Sequence, residues 1–289
     1  MKGMNVLFLV LEETPSLKHF KRAFKEKGLG AQILDLKKVS LSSGKKGTEI
    51  LDDSLDLGKF DGVYLKAGLK LAQFAEPLLD ELQRRNFYVP VKKNSHYIST
   101  NETLQLTTLN KFSVKVPRTM IFGSPEGIKA QAEKFSYPVQ FKAFRKGEKT
   151  MSMLVESERS LVFLADSFRA EQDAIIVREF IEGDIDESAI IGGKVFTIRR
   201  KFEKGALQPI KKSQSIKLPE AEKETAIHSA NICGYDIASV KMCKGYVLKV
   251  KPLMKINTFN RITGEDLYEE IADLYKQKLG ERKKREEKK

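Results

Sequence analysis

The sequence is poor in the residues from which redox and metal centres are built. Its 289 residues include two cysteines and three histidines. Cys233 and Cys243 stand in apolar surroundings without a CxxC pair or another metal-ligand spacing, which favours reduced core residues. The histidines are isolated from one another, and isolated histidines are more often structural than catalytic. We therefore expect no active site based on histidine or cysteine.

Long apolar runs are also missing. The most apolar N-terminal stretch, residues 6–11, is far shorter than the roughly 20 residues that a membrane-spanning helix needs. The basic flank and small-residue cleavage site of a secretory signal do not accompany it. We predict a cytoplasmic protein with no membrane partner.

Acidic residues are outnumbered by basic ones. Lys and Arg total 52 against 39 Asp and Glu, which gives a net charge of +13 and a pI near 9.5. Such a surplus favours a polyanion partner, with RNA or the ribosome as the leading class, although a solvated lysine-rich surface also explains it. The hydrophobic fraction of 41% is that of an ordinary globular chain, and the length allows about two or three small domains.

Apolar strands alternate with amphipathic helices in the first part of the chain. Strand patterns at residues 5–11, 32–36 and 61–66 are separated by helix patterns at 17–28 and 72–86. This order predicts a small βαβ domain around a parallel sheet. The polar residues 40–54 are predicted to form a mobile surface loop. Residues 281–289, which carry mixed charges and no apolar side chain, are predicted to be a frayed helical extension or a disordered tail.

A β-hairpin is predicted near the C-terminus. Polar and apolar residues alternate in residues 237–243 and 246–251, and Lys244 and Gly245 lie between the two stretches, a pattern typical of antiparallel strands joined by a tight turn. Period-2 geometry then places Lys241 on one face of the first strand and Lys249 and Lys251 on one face of the second. Three converging ammonium groups are unfavourable unless an anion lies among them.

The hairpin is followed by the sequence P-L-x-x-x-N-x-F-x-R-x-T-G at residues 252–264, and residues 137–143 read YPVQFKA. This set of motifs resembles the ATP-grasp superfamily, most closely its RimK-type branch of ligases that join amino acids to carboxylates. The resemblance implies an α/β ATP-grasp fold. Its N-terminal βαβ domain would span residues 1–98, and its ATP-grasp domain residues 99–280, with a central lid subdomain at about 115–182 and a C-terminal subdomain at about 183–280 enclosing a cleft. Residues 281–289 would form a charged tail.

The resemblance also indicates which residues line the cleft. The positions at which relatives hold two magnesium ions through side-chain oxygens are occupied by Lys241, Lys249 and Lys251. Because magnesium requires oxygen ligands, we do not expect it here. At the start of the helix predicted from residue 101, Glu102 stands where relatives have a lysine that reaches ATP phosphates, and a carboxylate at that point would repel phosphate.

Three other positions keep the residue types that relatives use around the nucleotide: Lys142, Glu179 and Arg200. The full set of cations expected to bind an anion is Lys142, Arg145, Lys146, Lys149, Arg200, Lys211, Lys212, Lys241, Lys249 and Lys251.

These residues predict a catalytically inactive RimK-like protein that binds an anionic partner such as RNA or the ribosome. Two alternatives stay open, an active ATP-dependent carboxylate-amine ligase with nucleotide in the same cleft, and a regulatory partner of an active ATP-grasp paralogue. ATP as a cofactor and homo-oligomerisation also stay open.

Overall fold

A computed structural model describes residues 3–44, 47–51, 56–66, 72–93, 95–145, 148–167, 174–202, 213–252 and 255–288. It describes the backbone alone at residues 47–49, 51, 72, 73, 96, 100, 145 and 148–150. Among the described residues, no helix combines the length and the apolar character needed to cross a membrane.

The N-terminal part is built around a parallel sheet in the strand order β2-β1-β5. The central strand β1 is apolar on both faces and almost fully buried, as a middle strand covered by helices requires. The elements of this part are β1 (Met4–Val10), α1 (Ser16–Glu26), β2 (Leu29–Asp35), β3 (Ser40–Gly44), β4 (Gly47–Leu51), β5 (Gly62–Lys66) and α2 (Ala72–Arg84).

The prediction of a mobile surface loop at residues 40–54 was wrong in taking the segment for a loop, because its described residues include two strands. β3 and β4 form an antiparallel hairpin in which Ser40 lies opposite Leu51 and Leu41 opposite Ile50. Leu41 and Ile50 pack against the same apolar cluster as Leu7. The hairpin is stabilised by this contact with the domain, which the polar composition of the segment does not reveal.

The central part carries a four-stranded antiparallel sheet in the order β6-β9-β7-β8. The helices at residues 125–129 and 158–167 bury an apolar cluster against one face of this sheet. The elements are α3 (Ser95–Thr100), α4 (Glu102–Lys111), β6 (Thr119–Phe122), α5 (Pro125–Lys129), β7 (Val139–Arg145), β8 (Glu148–Val155), α6 (Glu158–Ser167) and β9 (Ala174–Glu179).

The C-terminal part carries a five-stranded antiparallel sheet in the order β12-β11-β10-β13-β14. Its elements are β10 (Ile185–Ile191), β11 (Lys194–Arg200), β12 (Ser213–Ile216), α7 (Glu220–Ile232), β13 (Ile237–Cys243), β14 (Tyr246–Lys251), α8 (Ile256–Thr263) and α9 (Leu267–Glu286). The predicted hairpin is confirmed with the predicted bounds. Lys244 and Gly245 have φ angles of 48° and 77°. A two-residue hairpin turn of type I′ requires positive φ angles at both of its central residues.

The last helix fastens the C-terminal part to the N-terminal sheet. The Tyr275 hydroxyl donates a hydrogen bond of 2.9 Å to the Val63 carbonyl, and Arg282 donates one of 3.1 Å to the Asp61 carbonyl. Tyr275 also packs against Phe24, with ring centroids 5.3 Å apart. Because α9 continues to Glu286, most of the predicted charged tail is the end of a docked helix.

Candidate functional site

Lysines meet on one face of the β13–β14 hairpin. Lys241 lies directly opposite Lys249, and Ser239 lies directly opposite Lys251. Directly opposed residues in an antiparallel pair share a face, so the three lysines are neighbours, as expected from the alternation. The register shifts at a bulge after Lys241.

A buried carboxylate from the neighbouring strand β10 faces these lysines. Glu187 lies opposite Lys241 and is 9% exposed. Its carboxylate accepts hydrogen bonds from Arg200 Nε at 3.1 Å and Ser239 Oγ at 3.2 Å, and Lys241 Nζ lies 3.8 Å away. We call Glu187, Arg200, Ser239 and Lys241 the Glu187 cluster. Its carboxylate compensates part of the positive charge on the sheet.

A second carboxylate, whose side chain is 14% exposed, joins the two sheets. Glu102 Oε1 contacts Lys142 Nζ from β7 and accepts a hydrogen bond of 3.0 Å from Arg178 Nη1 of β9. Glu102 Oε2 lies 3.9 Å from Lys249 Nζ of β14. We call Glu102, Lys142, Arg178 and Lys249 the Glu102 cluster. Since Lys142 and Arg178 belong to the central sheet and Lys249 to the C-terminal sheet, this carboxylate bridges the facing sides of the cleft.

Arg178 makes two further contacts that strengthen this bridge. Its Nη2 donates to Gln140 Oε1 at 2.6 Å within the central sheet, and its Nη1 donates to the Leu248 carbonyl of β14 at 3.3 Å. A guanidinium presents several donors in a fixed plane and can serve partners on both sides. Arg178 therefore ties the central sheet directly to the hairpin.

Helix α4 holds Glu102 in place. The Asn101 side chain caps the helix by accepting from Leu104 N at 3.0 Å, which satisfies one of the free amide groups of the first turn. The buried Gln105 donates to the Val250 carbonyl at 2.7 Å and accepts from Val250 N at 2.8 Å. These two bonds fix α4 to the edge strand β14, so that the first residue of the helix reaches into the cleft.

Burial and the neighbouring charges perturb the pKa values in the cleft. Burial, together with repulsion by Arg178, lowers the pKa of Lys142 to about 8 despite the attraction of Glu102. Burial by itself would raise the pKa of Glu102, but Lys142 and Arg178 outweigh this effect and lower it. Burial also lowers the pKa of Lys249. Glu102 thus stays ionised, whereas the protonated forms of Lys142 and Lys249 are destabilised. An added anion would reduce this destabilisation.

The structure places the predicted site residues in different positions relative to the two clusters. Those that the structure brings into the two clusters are Lys142, Arg200, Lys241 and Lys249. Lys251 is exposed on β14 and close enough to both Lys241 and Lys249 to lower the pKa values of these residues. Glu179 follows Arg178 in β9, and successive side chains of a strand point to opposite faces, so Glu179 lies on the other face from the cluster.

The remaining predicted cations are not placed. Arg145 and Lys149 are described by their backbone alone, in β7 and β8. Lys146, Lys211 and Lys212 lie outside the described residues. Their contribution to the cleft stays a prediction.

Sequence reasoning missed Arg178 and Glu187 as members of the site, and it misjudged the surroundings of Glu102. The prediction treated Glu102 as an isolated repulsive charge, whereas the structure places it among three cations. The sequence did contain a signal for this contact, because the charges at two sets of positions are both reversed relative to the expected ones. Cations stand at the expected metal-ligand positions, and an acid stands at the position of an expected phosphate-binding lysine.

The donor set of the cleft does not fit magnesium. Magnesium requires about six oxygen ligands in octahedral geometry, and the positions that the resemblance assigns to it carry ammonium groups. Among the described residues, the carboxylates of the two clusters, Glu102 and Glu187, are each already engaged by several donors. The described residues include no group of three or more His, Cys, Asp or Glu side chains that could hold a metal ion.

Relatives of this chain carry the name of one class of enzyme. A probable alpha-L-glutamate ligase of Aliivibrio salmonicida (strain LFI1238) is 22% identical over 265 residues, which cover 87% of this chain and 88% of that protein. A probable alpha-L-glutamate ligase of Desulfotalea psychrophila (strain LSv54 / DSM 12343) is 23% identical over 270 residues. The chain spans 58% of the length of the Desulfotalea protein. No known protein-family model matches the chain.

Solved structures share the architecture over nearly the whole chain. The ATP-grasp ligase PsnB, complexed with a minimal precursor, superposes with a TM-score of 0.74 at 14% identity, covering 95% of this chain and 98% of that one. A RimK domain ATP-grasp protein from Sphaerobacter thermophilus DSM 20745 gives a TM-score of 0.65 at 18% identity, covering 94% and 99%. The chain therefore has the ATP-grasp fold. The names of the glutamate-ligase relatives and of the RimK domain structure support the resemblance to the RimK-type branch.

Proposed function

We propose that this chain is an ATP-grasp protein without ligase activity and that its cleft binds an anionic partner through phosphate groups, with RNA, free or in the ribosome, as that partner. The observation that carries the proposal is the convergence of Lys241, Lys249 and Lys251 on one face of the β13–β14 hairpin. Lysine suits this role because a compact ammonium group binds phosphate without selecting a base.

The charge balance of the cleft supports an anionic ligand. Within the described residues, the cations of the clusters and their neighbours outnumber the carboxylates Glu102 and Glu187; they are Lys142, Arg178, Arg200, Lys241, Lys249, Lys251 and Lys255. Lys241 and Lys249 are both 37% exposed and lie 3.8 and 3.9 Å from their carboxylates. They are thus partly available to a ligand.

The same residues argue against ordinary ligase chemistry. Phosphoryl transfer from ATP depends on metal ions that neutralise charge between the phosphates and fix their geometry. Ammonium groups supply positive charge at the corresponding positions but cannot impose octahedral coordination. The fold is retained, and the residues on which catalysis depends in relatives are replaced.

A charge-reversal experiment tests the proposal. The double variant Lys249→Glu, Lys251→Glu should bind a structured RNA at least about tenfold more weakly than the wild type in filter-binding or fluorescence titrations at 100 mM salt. Removing two phosphate contacts should also flatten the slope of log affinity against log salt, by about 1.4 for single-stranded and about 1.8 for double-stranded segments. The matched control is Lys18→Glu, Lys21→Glu, which makes the same change of net charge on the exposed face of α1. Wild type that does not bind RNA, or two double variants of equal affinity, would refute the proposal.

A second candidate function is favoured by the names of the relatives and by the intact architecture. In it the chain is an ATP-dependent carboxylate-amine ligase that uses lysines in place of magnesium. ADP release coupled to amide formation, with L-glutamate and a glutamate-terminated peptide as substrates, would establish this activity. It would replace the first proposal if the Lys249→Glu, Lys251→Glu variant lost the activity.

A further inference from the structure

The Glu102 carboxylate occupies the point at which cations from two facing sheets converge. Lys142 and Arg178 of the central sheet have side chains that are 8% and 13% exposed, whereas Lys249 of the C-terminal sheet is 37% exposed. The cluster is therefore closed on the side of the central sheet and more open at Lys249. A phosphate reaching it past Lys249 would meet the same three cations that Glu102 contacts.

Compensation of charge in this cluster is incomplete. One carboxylate faces three cations, and the described residues show no second carboxylate in contact with them. Charges that are taken out of water interact strongly, so a surplus of cations here favours an anion with more charge than a carboxylate. A ligand with several adjacent phosphate groups has this property.

We propose that Glu102 is an internal counter-ion of the cleft, and that a phosphate-bearing ligand binds by taking its place at Lys142, Arg178 and Lys249. This inference rests on the proposed anion-binding function and adds a residue that sets the affinity. The helix that carries Glu102 is attached to β14 through both hydrogen bonds between Gln105 and Val250. Displacement of the carboxylate therefore requires rotation of the Glu102 side chain and no movement of the helix.

Removal of the Glu102 charge tests the proposal, with inorganic triphosphate as the probe. Glu102→Gln should bind triphosphate at least about tenfold more tightly than the wild type, because no carboxylate then competes for the cations. The matched control, Glu220→Gln, makes the same change of net charge at a side chain that is 70% exposed on α7, and should change the affinity by less than about twofold. Equal affinities of the Glu102→Gln and Glu220→Gln variants would overturn the proposal.

Proton uptake by the wild type provides a measurement that does not depend on the folding of the Glu102→Gln variant. Among the side chains that the structure describes, the charged groups that face Lys142 are Glu102, Arg178 and Lys249. Burial lowers the pKa of Lys142 to about 8 in the free protein, and a phosphate that carries more charge than the carboxylate should raise it. Triphosphate binding at pH 8 should therefore take up more protons in the wild type than in Lys142→Gln, as measured by calorimetry in buffers of different ionisation enthalpy. Equal proton uptake by the two proteins would contradict displacement of Glu102.

The two proposals can fail separately. If the Lys249→Glu, Lys251→Glu variant loses RNA binding and the Glu102→Gln variant binds triphosphate like the wild type, the anion-binding cleft stands and the counter-ion does not. If Glu102→Gln binds triphosphate tightly and the wild type binds no RNA, the counter-ion stands and the RNA partner does not.

Discussion

Replacement of Lys142 by methionine distinguishes two opposite views of the Glu102 cluster. If the Lys142–Glu102 ion pair dominates, breaking a buried pair should cost about 3–5 kcal/mol of stability. If the surplus of cations dominates, removal of one of three should stabilise the protein. The structure favours the second outcome, because Arg178 and Lys249 still accompany Glu102 when Lys142 is absent.

The magnitude follows from the pKa of Lys142. Its pKa is lowered from 10.5 to about 8, which corresponds to about 3 kcal/mol against the protonated form in the folded state. Because the side chain is 8% exposed, solvent screens little of this cost. Lys142→Met, which keeps an apolar stem of similar length, should therefore raise the free energy of unfolding by about 1–3 kcal/mol at pH 7, since packing losses offset part of the gain.

The gain should disappear with rising pH. The folded-state pKa lies below the unfolded value, so between pH 8 and pH 10.5 the unfolded chain binds more protons at Lys142 than the folded chain does. Stability of the wild type therefore rises through this window relative to that of the variant. Groups remote from the Glu102 cluster titrate alike in both proteins, so their contributions cancel in the difference, and the Glu102 carboxylate stays ionised throughout this window.

Urea-induced unfolding followed by circular dichroism at pH 7 and pH 10 measures both effects. The control is Lys194→Met, which breaks a surface ion pair with Glu270 in which the lysine is 60% exposed, and which should change stability by less than about 1 kcal/mol at either pH. A Lys142→Met variant that is 3 kcal/mol or more less stable than the wild type at pH 7 would refute the reasoning.

Two further predictions concern residues outside the two clusters, Gln105 and Gly234, and are checked by the same urea-induced unfolding measurement. Gln105→Leu should lower stability by about 2–4 kcal/mol, because Val250 keeps a buried N–H and C=O without their side-chain partners; a loss below 1 kcal/mol would mean that water replaces both bonds. Gly234→Ala should lower stability by about 1–3 kcal/mol more than Gly28→Ala. The φ angles of the two glycines are nearly equal, +76° and +77°, so backbone strain should be similar in both variants. A Cβ at Gly234 would lie 2.1 Å from Ser95 Oγ, whereas a Cβ at Gly28 would have nothing within 4 Å. Equal losses would show that Ser95 moves aside freely.

Several elements could be predicted from the sequence because their determinants are local. The β13–β14 hairpin follows from alternation and from a Lys-Gly turn, and its strands have the predicted bounds. The motifs at residues 137–143 and 252–264 led to the ATP-grasp fold, which the solved structures confirm. The β3–β4 hairpin could not be predicted, because its strands are stabilised by packing on the N-terminal domain rather than by their own polar composition.

The sequence by itself determined that lysines stand on one face of a hairpin and that the chain carries a large positive charge. Only the tertiary structure decided which carboxylates compensate the positive charge of these lysines. Glu102 lies 40 residues from Lys142 and 76 from Arg178, and no local pattern connects positions so far apart. The folding of α4 against β14 brings the carboxylate to the cations. Burial then lowers the pKa values of Lys142 and Lys249 although Glu102 attracts their protons, while Lys142 and Arg178 lower the pKa of Glu102.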